Sequence, residues 1–96
     1  MGTAVKRKPP EAPYGWEWAR EGERYLLKPL ATEIWVLRYI RQLKAFGCSA
    51  EDICQELFAD GIAPRGGGRF TPEEVAALLV RDDTPLWERW RAHDSA

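Results

Sequence analysis

The chain has 96 residues, of which 45% are hydrophobic and 30% charged, and its net charge is −1. That is the size and make-up of one globular domain, able to fold without metals or disulfides. A near-neutral total argues neither for nor against a nucleic-acid partner. No apolar run approaches the ~20 residues of a membrane helix, and no membrane partner is expected.

The distribution of charge says more than its sum. Residues 1–30 carry six basic and four acidic groups, and residues 31–47 carry three basic and one acidic. Residues 48–60 reverse this, with four acidic groups and no basic one, whereas residues 61–70 hold Arg65 and Arg69 alone. Positive charge therefore gathers on the N-terminal stretch, the segment after residue 30 and one glycine-rich loop.

Residues 1–13 are polar, basic and broken by prolines, so they read as a disordered arm carrying Lys6, Arg7 and Lys8. The arm lacks the apolar stretch of a secretory signal. Tyr14, Trp16 and Trp18 then alternate with period two, Gly22 supplies a turn, and residues 24–28 form a second strand-like run. Residues 14–28 are accordingly expected to form a β-hairpin, marginal alone and needing helices to pack on. From Thr32 the spacing changes to three and four. Val36, Tyr39, Ile40, Leu43 and Phe46 mark an amphipathic helix, with Arg38, Arg41 and Lys44 on another face and Gly47 as its stop. Ser49 and Asp52 make a capping box for a second helix facing inward through Ile53, Cys54, Leu57 and Phe58, ended by Gly61. A long loop with Gly66, Gly67 and Gly68 follows. Thr71, Pro72 and Glu74 start a third helix, with Val75, Leu78 and Leu79 buried. Thr84 and Pro85 repeat the cap-and-proline signal ahead of Leu86, Trp87 and Trp90, a short fourth helix, and the tail frays from His93.

No catalytic apparatus is visible, and the reading is of a protein that is not an enzyme. His93, Asp94 and Ser95 are consecutive, a spacing that cannot take up triad geometry, so His93 reads as a solvent-exposed tail residue. Cys48 and Cys54 lie six apart with no histidine nearby to complete a zinc site. Both read as reduced thiols of a cytoplasmic protein, Cys54 as a small core residue, and no metal or other cofactor is expected. The triple glycine lacks the Lys-Ser/Thr of a phosphate loop. It is either a linker between helices or a segment whose bare backbone approaches a phosphate chain, with Arg65 and Arg69 making the charged contacts. Glu51/Asp52 and Glu73/Glu74 sit in first helical turns, where the macrodipole favours them. Asp82/Asp83 reads as a solvated turn. Trp35, Trp87 and Trp90 fall in amphipathic segments and read as core or helix-docking residues.

Three motifs occur in a fixed order: PYGW at 13–16, FGCSAEDICQELFADGI at 46–62 and GGGRFTPEEVAALL at 66–79. Over about three quarters of the chain this order resembles the recombinase domain of large serine recombinases, the DNA-binding module that follows their catalytic domain. The resemblance implies a helix-turn-helix-like unit in which residues 49–60 support and residues 71–81 recognise DNA. The family's catalytic serine and zinc-ribbon cysteines have no counterpart here, which implies no strand cleavage. Departing from the family pattern, the would-be recognition helix opens on Glu73 and Glu74, which phosphates repel, although a glutamate can accept from cytosine N4.

The expected fold is mainly α: a three-helix, helix-turn-helix-like bundle with a short fourth helix and an N-terminal hairpin. It forms one domain over residues 14–93, with residues 94–96 as tail. The expected function is that of a non-catalytic DNA-binding protein of a mobile element or phage. Double-stranded DNA would be held by Lys6, Arg7, Lys8, Arg65, Arg69, Thr71 and Arg81. The alternative is a protein-interaction module, docking a partner or a second copy through Glu73, Glu74, Ala77, Trp87 and Trp90.

Overall fold

A computed structural model describes residues 10–94. Lys6, Arg7 and Lys8 lie outside the described residues. The described chain is mainly helical: β1 (Trp16–Glu21), β2 (Arg24–Pro29), α1 (Ala31–Ala45), α2 (Ala50–Ala59), α3 (Pro72–Val80) and α4 (Thr84–Asp94). The described residues group into two compact units, residues 10–34 with 82–94 and Trp35–Arg81. No helix among the described residues is long and apolar enough to cross a membrane.

In the first unit β1 and β2 pair antiparallel, from Trp16 opposite Pro29 to Glu21 opposite Arg24. The two-residue turn places Gly22 at φ +64°, and Glu23 stays at negative φ. This pattern matches the twist of a hairpin and needs glycine first. The hairpin starts two residues later than expected, because Tyr14 lies in a turn rather than in the strand. The base of the hairpin is tied to the first turn of α1, where Gly15 N–H donates to Glu33 Oε1 at 2.7 Å and Leu30 N–H donates to the Gly15 carbonyl at 2.9 Å.

Trp16 is fully buried, and its indole N–H donates to Asp83 Oδ2 at 3.1 Å. Its ring meets Trp87 edge-on, 4.8 Å between centroids. Asp83 is thus not in a solvated turn; it is 9% exposed. A buried carboxylate is tolerable there because a donor is aimed at it. Thr84 is the first residue of α4 rather than its cap, and Asp82 Oδ1 accepts from Thr84 N–H at 3.0 Å in an Asx turn that leads into the helix.

Residues 10–13, expected to belong to the disordered arm, are instead bound to the hairpin. The Trp18 indole donates to the Pro10 carbonyl, Trp16 N–H donates to the Pro13 carbonyl, and Ala12 is buried. His93 is likewise not a frayed tail residue. It lies on α4 with Nε2 3.1 Å from Glu21 Oε2 and its ring 5.6 Å from Trp90. A cleft of about 180 Å³, lined by Leu26, Leu27, Trp90, Arg24 and Arg89, adjoins that pair.

In the second unit α2 packs on α3. The core is Val36, Leu37 and Ile40 of α1, Ile53, Cys54 and Leu57 of α2, with Phe70 and Val75. Burial raises the Cys54 thiol above its ordinary value, and the nearby carboxylates Glu51 and Glu74 add to this. A thiol held protonated in this way is inert packing.

The stops of α1 and α2 are Schellman motifs. Cys48 N–H donates to Leu43 and Gly47 N–H to Lys44, and the same pair of bonds runs from Ile62 to Leu57 and from Gly61 to Phe58. The buried faces differ slightly from the expected ones. Trp35, Phe46 and Phe58, read as inward or docking residues, are 58%, 76% and 58% exposed. At about 100° per residue, a spacing of three or four drifts across the edge of the buried stripe, and only the neighbouring helices decide where that edge falls.

Candidate nucleic-acid interface

The glycine-rich loop owes its path to backbone freedom. Gly66, Gly67 and Gly68 stand at φ +83°, +88° and +80°, and a Cβ on any of them would meet nothing within 4 Å. The requirement is therefore conformational rather than one of close approach. The loop turns through Gly67 N–H to the Pro64 carbonyl at 3.1 Å and delivers Arg65 and Arg69 just ahead of α3. Arg65 is half-buried and Arg69 exposed.

The Arg69 guanidinium lies over the Phe58 ring, 3.9 Å from its centroid. This contact explains why Phe58 stays open: its ring is the platform for a cation, a contact worth roughly 0.5–1 kcal/mol at an exposed site. Nothing local in the sequence links the two residues, which are eleven apart on opposite sides of the loop.

At the start of α3 the capping box is complete. Thr71 Oγ1 accepts from Glu74 N–H at 3.1 Å, and Glu74 Oε1 accepts from Thr71 N–H at 2.8 Å. The Glu74 carboxylate is thereby bent back over the helix start. Glu73, Ala76, Ala77 and Val80 are exposed, and their spacing puts them along one side of α3. At the other end, Arg41 of α1 donates through Nη2 to the Arg81 carbonyl at 3.2 Å. Arg41 thereby joins Arg81 at the C-terminal end of α3, a neighbour that the helical pattern of α1 could not have revealed.

Of the residues expected to bind DNA, Arg65, Arg69, Thr71 and Arg81 all belong to the second unit and border α3. The residues of the alternative surface are divided. Glu73, Glu74 and Ala77 lie on α3, whereas Trp87 and Trp90 belong to α4 in the first unit, where both are half-buried.

On α1 the Tyr39 hydroxyl donates to Asp60 Oδ2 at 2.6 Å. That bond, assisted by desolvation and by the charges of Asp60 and Glu56, pushes the phenol up from 10.0 to about 12. The stabilisation from this bond is fully present below pH 10.0 and is lost as pH rises through about 12. In an ultraviolet titration one tyrosine should ionise late, and Asp60→Asn should bring it back towards its ordinary value. A late step that survives Asp60→Asn would contradict the contact.

Among the described residues no group of three or more His, Cys, Asp or Glu could hold a metal ion. No family model, curated protein or solved structure matches the chain.

Proposed function

We propose that this chain is a non-catalytic DNA-binding protein, similar to the recombinase domain of serine recombinases, which applies the exposed side of α3 to a duplex groove. One observation carries the reading: arginines stand at both ends of α3, Arg65 and Arg69 before it and Arg41 with Arg81 after it. A helix of nine residues is about 14 Å long, comparable to the roughly 12 Å width of a B-DNA major groove. Cations at its two ends would therefore reach phosphates on the two edges of the groove. Between them, Ala76, Ala77 and Val80 offer small apolar groups of the kind that meet thymine methyls, and Glu73 can accept from cytosine N4. Because Glu74 is held in the capping box, one carboxylate rather than two lies along that side. Lys6, Arg7 and Lys8 would follow the backbone as a basic arm. Such a protein would act in the cytoplasm of a cell carrying a mobile element or phage, beside a separate catalytic recombinase.

The second reading is a protein-interaction module, favoured by Val80, which is 83% exposed at the end of the same apolar strip. Titration with random-sequence duplex DNA separates the two. With about four phosphate contacts, affinity should fall about a hundredfold between 50 and 200 mM salt. No binding at the lower salt would defeat the nucleic-acid reading and leave the interaction module.

A further inference from the structure

Four large apolar side chains of the second unit are open: Trp35, Phe46, Phe58 and Val80. Phe58 carries Arg69, and Val80 belongs to the side of α3 already described. Trp35 and Phe46 are left. At about 100° per residue, Trp35, Tyr39 and Phe46 fall within about 40° of one another, in a stripe about 16 Å long on α1. Phe46 follows the last residue of α1 but keeps the helical path, since its N–H donates to the Gln42 carbonyl at 3.1 Å.

The stripe is already ordered. Trp35 stacks on Tyr39 with 5.4 Å between centroids and 25° between planes, and Asp60 fixes the Tyr39 hydroxyl. Rings held in place before association reduce the entropy that binding must overcome. The two flanks of the stripe differ in charge. On one side lies the exposed Arg38, about 60° round α1 from Trp35. On the other lies the C-terminal end of α2, with Asp60 bonded to Tyr39 and the exposed Glu56 nearby.

We infer that this face pairs with a second copy of the chain about a two-fold axis parallel to α1, stripe against stripe, with Arg38 of each copy meeting Glu56 and Asp60 of the other. An axis along the helices exchanges the two flanks, so the basic flank of one copy faces the acidic flank of the other. An antiparallel pairing would set like flanks together and repel. The occupant is a second copy because one surface carries both members of the complementary pair, one on each side of an apolar centre, as an isologous interface requires. A net charge of −1 adds no long-range repulsion. An aromatic side chain buries about 150–250 Å² when fully covered, but Trp35 and Phe46 are only 58% and 76% exposed and Tyr39 less, so the contact falls below the standard size, among weak and transient interfaces. The dimer is therefore weak and reversible.

Sedimentation of the full chain without DNA tests this separately from the DNA reading. Over concentrations on the order of 10 to 500 µM, the range in which small interfaces dissociate, the mass should rise from monomer towards dimer. Trp35→Ser should abolish the rise while leaving the far-ultraviolet circular dichroism unchanged. Arg38→Glu and Glu56→Arg should each weaken association by roughly tenfold, and an equal mixture of these two variants should recover it. A monomer at every concentration overturns the inference. So does a dimer indifferent to Trp35→Ser, or a mixture that associates no better than either variant alone.

Discussion

Trp16→Ala should destabilise the chain by about 3–5 kcal/mol, a large share of the roughly 5–15 kcal/mol that holds a domain folded. Trp16 is the bulkiest fully buried side chain, and its removal opens a cavity beside Trp87 and strands Asp83 without the indole donor. Circular dichroism during urea unfolding would read the loss as a lower midpoint. The hydrogen bond can be weighed apart from the packing. Asp83→Leu leaves a buried indole N–H without its acceptor, at a cost of about 1–3 kcal/mol, whereas Asp83→Asn keeps a carbonyl oxygen there and should cost less. Equal midpoints for the two variants would show that the Trp16–Asp83 bond contributes nothing.

The second large effect concerns the loop. Replacing both Arg65 and Arg69 with alanine should lower the slope of log affinity against log salt by about 1.8, since each neutralised phosphate contributes roughly 0.9. At low salt, binding should weaken ten- to a hundredfold and by similar factors for every duplex sequence, because phosphate contacts position a protein without reading bases. Arg69→Lys keeps the charge but loses the planar group over Phe58, so it should retain the slope with a small drop in affinity. A double-alanine variant with the slope of the parent protein would remove the loop from the interface.

Local signals carried much of the architecture. Ser49 with Asp52, and Thr71 with Pro72 and Glu74, announce helix starts because capping joins residues three apart in the chain. Gly47 and Gly61 mark the stops for the same reason. The hairpin follows from period two and a glycine turn. These interactions are short-range, so the order of residues is enough to specify them.

What the sequence determined alone is this succession of one hairpin and four helices, with the polarity of each segment and an arginine-bearing glycine loop before the third helix. The tertiary structure alone decided which polar and aromatic groups meet across the fold. By its neighbours in the chain Asp83 is a surface acid, but in the fold a tryptophan 67 residues away donates to it. Phe58 looked like core until Arg69 lay over its ring, and Arg41 had no connection to α3 before it reached the Arg81 carbonyl. Each of these contacts joins different elements, and its partner is set by how those elements pack. A helical period fixes an angle around one axis; which part of that circle faces solvent depends on what the rest of the chain places against it.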